Sequence, residues 1–76
     1  MNLSELKIKE TAQIVAINCD SVLKNRLYSF GIIKGAIIKV EEITLTKSTI
    51  EIRINQSKIA LRMNEASKIE VKYAEQ

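Results

Sequence analysis

The feature that most constrains the fold of this chain is a strict alternation of side chains between residues 50 and 55. The apolar positions are Ile50, Ile52 and Ile54, and the polar positions between them are Glu51, Arg53 and Asn55. Successive side chains of a β-strand point to opposite faces of the sheet, so this spacing predicts a strand with one buried and one solvated face. We therefore expect a half-buried sheet, with residues 49–54 as one of its strands.

Four further short segments predict strands around this one. They are residues 11–18, 36–43, 58–61 and 69–73. Polar turns are predicted at 46–48 and 55–57, and one helical turn at 64–68 with Asn64 as its cap. With 76 residues the chain has room for one core, so a single domain is expected over residues 1–76.

A short amphipathic helix is predicted between the first two strands. Leu23, Leu27 and Phe30 follow one another at i, i+4 and i+7, which favours a buried stripe of two to three turns. Asp20 or Ser21 can cap its first amides. Gly31 stands where a left-handed C-terminal cap is needed, and Gly35 provides a second turn residue before the next strand.

Five short strands and one short helix indicate an all-β small barrel rather than an open sheet. A sheet of this size has proportionally many exposed edges, and closure removes them. Domains of this size and type are usually SH3-like or OB-like. The aromatic residues are only Tyr28, Phe30 and Tyr73, so the core is expected to be aliphatic.

The composition argues against catalysis and against a bound cofactor. The chain has no His, which removes the commonest general base and metal ligand. Its one cysteine, Cys19, can form neither an internal disulfide nor a Cys/His metal cluster. A contact between Cys19 and a ferrous ion stays open, although a small residue at a strand end is the favoured interpretation. No phosphate-binding glycine loop is present.

Charge and hydropathy limit which partners and which cellular location are expected. The net charge is +3 and the pI about 9.2, with the basic excess in residues 1–40. An acidic partner or a nucleic acid would suit such a balance. No signal peptide and no stretch of roughly 20 apolar residues is visible, so a cytoplasmic location without membrane insertion is expected.

Four ordered motifs resemble the FeoA family. They read LSELK at residues 3–7, ETAQI at 10–14, LYSFGIIKG at 27–35 and IALRMNEA at 59–66. Family members have an L-x-x-L-x-x-G-E-x-A-x-I entry, a helix that ends in L-x-x-x-G-h-x-x-G (h apolar), and a terminal h-A-L-R-x-x-E-A. The match covers nearly the whole chain, from Leu3 to about Val71. Two places depart from the pattern: Ile8-Lys9 replaces the common Pro-Gly, and Lys34 stands where Pro often precedes the last Gly.

The resemblance implies a fold, a location and a partner. The fold is an SH3-like β-barrel in the cytoplasm. The partner is FeoB, a ferrous iron permease with a cytosolic GTPase domain, which the accessory protein is thought to contact through its cytosolic part. No cofactor is implied, and self-association stays open.

The predicted partner-binding residues lie on the helix and the turn after it. They are Lys24, Arg26, Leu27, Tyr28 and Lys34. The cations would form a basic rim for an acidic surface, and Tyr28 would be an exposed anchor. For the stripe that contains Leu27, core packing is the favoured interpretation. Arg62 is expected to pair with Glu65 or Glu70.

Two other classes of function remain open at this point. A nucleic-acid-binding small barrel would fit the pI, with Tyr28 and Tyr73 as the candidates for base stacking. The other possibility is homology to the SH3-like domain that is attached to metal-dependent repressors. Because the chain has no His and no DNA-binding helix, it is expected to act alone.

Overall fold

Short strands account for most of the regular structure in the computed structural model, which describes residues 1–74. A 3-10 turn, Leu3–Glu5, comes first. The elements that follow are β1 Thr11–Ile17, α1 Ser21–Ser29, β2 Ile37–Ile43, β3 Thr49–Ile54, β4 Ser57–Arg62, α2 Met63–Ala66 and β5 Ile69–Tyr73. The predicted strands at 49–54 and 69–73 are confirmed with their bounds, and the other three differ from the prediction by one residue at one or both ends.

The five strands form one antiparallel sheet in the order β4-β3-β2-β1-β5. The alternation predicted for β3 is confirmed, since Ile50, Ile52 and Ile54 are at most 1% exposed. Every strand contributes to one buried cluster made only of Leu, Ile, Val and Ala among residues 1–74. The prediction of an aliphatic core is therefore confirmed.

Two irregularities in the register bend the sheet around this cluster. The pairing of β1 with β5 shifts between Ile14 and Ala16, and the pairing of β2 with β3 shifts between Val40 and Glu42. An extra residue in one strand bends it and increases its twist. The result is the predicted small five-stranded barrel with a short helix, but its outer strands β4 and β5 are not paired with each other within residues 1–74, so hydrogen bonds between strands do not close it.

The two edges of the sheet are treated differently. Along β5, the Val71 amide donates to the Met1 carbonyl at 2.8 Å, and Asn2 pairs with Glu70 as an isolated bridge. The N-terminal segment therefore covers that edge. At the opposite edge, β4 has no neighbouring strand among residues 1–74.

Helix α1 is closed at both ends by local hydrogen bonds. An Asp20 carboxylate oxygen accepts from the Leu23 amide at 2.9 Å, which satisfies one free donor of the first turn. At the other end Gly31 has φ +86, and its amide donates to the Tyr28 carbonyl while that of Ile32 donates to Leu27. This is a Schellman motif, and it confirms the predicted glycine cap.

Two local predictions are wrong. Phe30 was expected in the core but is 40% exposed, because the chain turns away at Gly31 and Ile32 takes the buried place beside Leu27. The short helix begins at Met63, and Asn64 does not cap it. The Glu65 carboxylate instead accepts from the Arg62 amide at 3.1 Å.

The turn before β1 holds Lys9 in the left-handed region, with φ +75. Its amide donates to the Val40 carbonyl at 2.7 Å, which begins the pairing of this segment with β2. The family that the sequence resembles commonly has Gly here. A side chain with a Cβ occupies this conformation only at a cost in free energy.

Candidate partner-binding site

A cleft of about 460 Å³ separates the outer face of α1 from the edge strand β4. Its residues are Arg26, Ser29 and Phe30 from the helix and its cap, and Ser57, Lys58, Ile59 and Ala60 from β4. We call it the α1–β4 cleft. One wall carries a half-exposed aromatic ring, and the other carries a strand edge.

Arg26 is held at this cleft by two partners. Its guanidinium lies 2.9 Å from a carboxylate oxygen of Glu65 on α2, and its Cζ lies 6.0 Å from the centre of the Phe30 ring. A cation at that distance from an aromatic ring is attracted to its face. The Arg26 side chain is still 52% exposed, so it can also reach an incoming group.

Glu65 joins three elements at the same place. Burial by itself would raise the pKa of this carboxyl. Hydrogen bonds from the Arg62 amide and the Arg26 guanidinium, together with the charges of both arginines, outweigh burial and hold the pKa below its usual value. Glu65 is therefore ionised at neutral pH and fixes α2 to α1.

A second cleft of about 320 Å³ lies on the other side of Arg26, between the start of α1 and α2. The charged residues at its walls are Asp20, Arg26, Arg62, Glu65 and Lys68. Both acids are already engaged, Asp20 as the helix cap and Glu65 with the arginines. Three cations against two acids leave this cleft with a small excess of positive charge.

The predicted partner-binding residues lie at different places in the structure. Arg26 lies in the α1–β4 cleft. Lys24 and Tyr28, four residues apart, share the opposite flank of the helix at 100° per residue. Lys34 is exposed in the loop before β2. Arg26, Tyr28 and Lys34 are exposed and Lys24 is half-buried, and the contact of all four with a partner stays a prediction.

The predicted contact through Leu27 is corrected, because this side chain is 0% exposed. It packs in the core and can act on a partner only by holding the helix in place. The predicted pairing of Arg62 is corrected as well: the side-chain partner of Glu65 is Arg26. Sequence reasoning missed Phe30, Lys58 and Ala60 as cleft residues. The exposed aromatic next to a glycine cap was the available signal.

Metal-ligating side chains do not cluster in the described part of the chain. Among residues 1–74 no three His, Cys, Asp or Glu side chains lie together as a set that could hold an ion. Cys19 is half-buried against the core, with a free thiol. No helix within these residues is long and apolar enough to span a bilayer.

Comparison with protein families gives a match over almost the entire chain. The family model described as "FeoA domain" matches residues 1–73. A protein of Campylobacter jejuni named "Putative Fe(2+) transport protein A" is 44% identical over 71 residues, which is 93% of this chain and 96% of that protein.

Solved structures agree with the fold. The solution structure of the FeoA protein from Chlorobium tepidum superimposes with a TM-score of 0.91 at 32% identity, covering 96% of this chain and 70% of that one. FeoA from Stenotrophomonas maltophilia, crystallised with zinc and described as a prokaryotic SH3 domain protein, gives 0.80 at 22% identity over 95% and 89%. The small barrel is therefore of the SH3-like type.

Proposed function

This chain belongs to the FeoA domain family, and from that membership we propose that it assists ferrous iron transport in the cytoplasm by binding the cytosolic part of a FeoB-type permease. The observation that carries the proposal is the family match over residues 1–73. The name of the Campylobacter jejuni relative supports ferrous iron as the transported ion. In this proposal the chain binds a partner and catalyses no reaction itself.

The surface around α1 supports a role in binding. Lys24, Arg26 and Lys34 are cations of the kind that steer an acidic partner, and charge complementarity of this type mainly raises the association rate and the specificity. Tyr28 is 46% exposed and offers a rigid aromatic contact. These four residues are the proposed contacts, and Leu27 supports them from the core.

The test is a titration of the ¹⁵N-labelled chain with the purified cytosolic domain of the permease encoded in the same organism. Amide shifts should appear in residues 23–35 and weaken as salt rises, because exposed charges are screened. Lys24→Glu and Tyr28→Ala should each weaken binding, by about fivefold or more for the aromatic anchor. Lys39→Glu, an equal charge reversal on β2, is the matched control and should change binding less.

The same variants connect binding to transport. In cells that lack the chain, ferrous iron uptake should fall, and the wild-type chain should restore it while Lys24→Glu restores it less. Shifts confined to other surfaces, or full restoration by a variant that no longer binds, would remove the proposed function.

A further inference from the structure

The free edge of the sheet offers a place where a partner segment can add as a strand. β4 ends the strand order, and the pairs Ile54–Ser57 and Thr49–Arg62 fix its register against β3. The Met63 amide donates to the Ser48 carbonyl at 3.0 Å. This bond makes Thr49–Arg62 a non-hydrogen-bonded pair, and such pairs alternate with hydrogen-bonded ones along an antiparallel ladder.

The alternation determines which backbone groups of β4 face outward. The pairs Arg53–Lys58 and Glu51–Ala60 are non-hydrogen-bonded, like Thr49–Arg62. The N–H and C=O groups of Lys58 and Ala60 therefore point away from β3. The Arg62 amide is taken by Glu65. The open part of the edge is therefore residues 58–60, and both Lys58 and Ala60 are exposed.

We propose that an extended, acidic segment of the partner protein adds to β4 as a sixth strand and lies in the α1–β4 cleft. The cleft runs beside the open edge, with Phe30 and Arg26 on its other wall. Ala60, the smallest side chain of β4, leaves room at the centre. Main-chain pairing supplies affinity in this mode of recognition, and the flanking side chains supply specificity.

Charge decides between the occupants of this edge. The outward charged side chains of β4 are Lys58 and Arg62, and Arg26 lies across the α1–β4 cleft from Lys58. The Glu51 carboxylate, 3.5 Å from the Lys58 ammonium, offsets part of this charge, and Glu65 offsets part of the charge of Arg26. Two copies paired antiparallel about Ala60 would place Lys58 of one copy opposite Arg62 of the other. Like charges in directly opposed positions are destabilising, and lysine on an edge strand commonly prevents self-pairing. The carboxylates of an acidic segment would instead be attracted to these cations.

The proposal rests on the proposed function for the source of the segment, but its test does not require the permease. The probe is a capped heptapeptide, Glu-Val-Glu-Val-Glu-Val-Glu, titrated into the ¹⁵N-labelled chain. We expect shifts centred on residues 57–62 and on Phe30, with slower amide exchange at Lys58 and Ala60. Lys58→Glu should weaken binding by up to about fivefold, the upper range for one exposed ion pair.

Two control peptides separate strand addition from charge attraction. A peptide with Lys in place of Glu should bind more weakly, and a Glu/Val peptide with N-methyl groups on alternate residues should lose binding, because it cannot pair with the edge. Ala60→Pro removes one of the two open N–H groups on the outer edge of β4 and leaves that of Lys58 in place. It should weaken binding strongly while its amide shifts in β1 and β2 remain those of the folded wild type.

The outcomes also distinguish the two proposals. Absence of peptide binding at millimolar concentration, equal binding of the N-methylated peptides, or self-association of the chain through β4 would each overturn strand addition. If the permease domain binds the chain and its shifts stay at Lys24, Tyr28 and Lys34 with β4 unaffected, the proposed function stands and strand addition fails. If the peptide binds and the permease domain does not, strand addition stands and the proposed function fails.

Discussion

Replacing Lys9 by glycine should stabilise the protein, although it removes a side chain. Lys9 has φ +75, and its backbone is held there by the bond from its amide to the Val40 carbonyl. The left-handed conformation costs a residue with a Cβ about 1–2 kcal/mol. Glycine avoids this cost but has more freedom in the unfolded chain, which offsets about 0.5–1 kcal/mol. The net gain in the free energy of unfolding falls between about 0 and 1.5 kcal/mol, and the expected value is about 0.75 kcal/mol.

For a domain of this size, a gain of about 0.75 kcal/mol raises the melting temperature by about 3–6 °C. The assay is thermal and urea denaturation followed by far-ultraviolet circular dichroism, with an unchanged m-value as the sign that only stability has changed. Lys9→Ala removes the same side chain without relieving the backbone, so it should change stability little.

Lys7→Gly is the matched control in the same segment. Lys7 is exposed and its φ is not positive, so glycine there brings only the entropic cost and should lower stability. If Lys9→Gly melts at or below the wild type, or if Lys9→Ala stabilises as much as Lys9→Gly, the explanation from backbone conformation is refuted.

Three further predictions follow from residues around α1. Leu27→Ala should cost about 2–5 kcal/mol, because the side chain is fully buried, and circular dichroism should show a partly unfolded protein at 37 °C. Gly31→Ala should destabilise by about 1 kcal/mol through its φ of +86 and not through a clash, since the nearest atom to an added Cβ is Asn55 Nδ2 at 3.9 Å; a loss above about 3 kcal/mol would contradict this. The pKa of Glu65 is lowered on folding, so its contribution is present above its unfolded pKa and is lost as pH falls through the folded value. Glu65→Gln should therefore flatten the acid limb of stability against pH, and an unchanged limb in urea melts would contradict the assignment.

The periodicity of apolar residues predicted the strands and the helix, because these elements depend on residues that are close in the sequence. The alternation in β3 defined its strand with correct bounds, and the spacing of Leu23 and Leu27 predicted the helix. The same spacing misplaced Phe30, because a pattern at i+7 assumes that the helix continues, whereas the chain leaves it at Gly31. Burial beyond a helix cap depends on where the chain goes next, and residue spacing does not contain that information.

The candidate site was predicted in part, for a related reason. The surface residues of α1 were identified because they lie off the apolar stripe. The opposite wall of the cleft comes from β4, about 30 residues further along, and Arg26 meets Glu65 across 39 positions. Such contacts follow from the strand order, which the sequence did not specify. Lys9 was visible as a departure from the family glycine, but its strain required the backbone angles.

The aliphatic core also determines which optical signals the protein can give. The chain has no Trp, and its aromatic rings are all at the surface: Phe30 is 40%, Tyr28 46% and Tyr73 54% exposed. Intrinsic fluorescence and the near-ultraviolet spectrum therefore originate outside the core and should change little when packing is lost. A ligand that covers α1 should instead alter the emission of Tyr28 directly. Tyrosine emission in this protein is expected to report docking, with no dye or label attached.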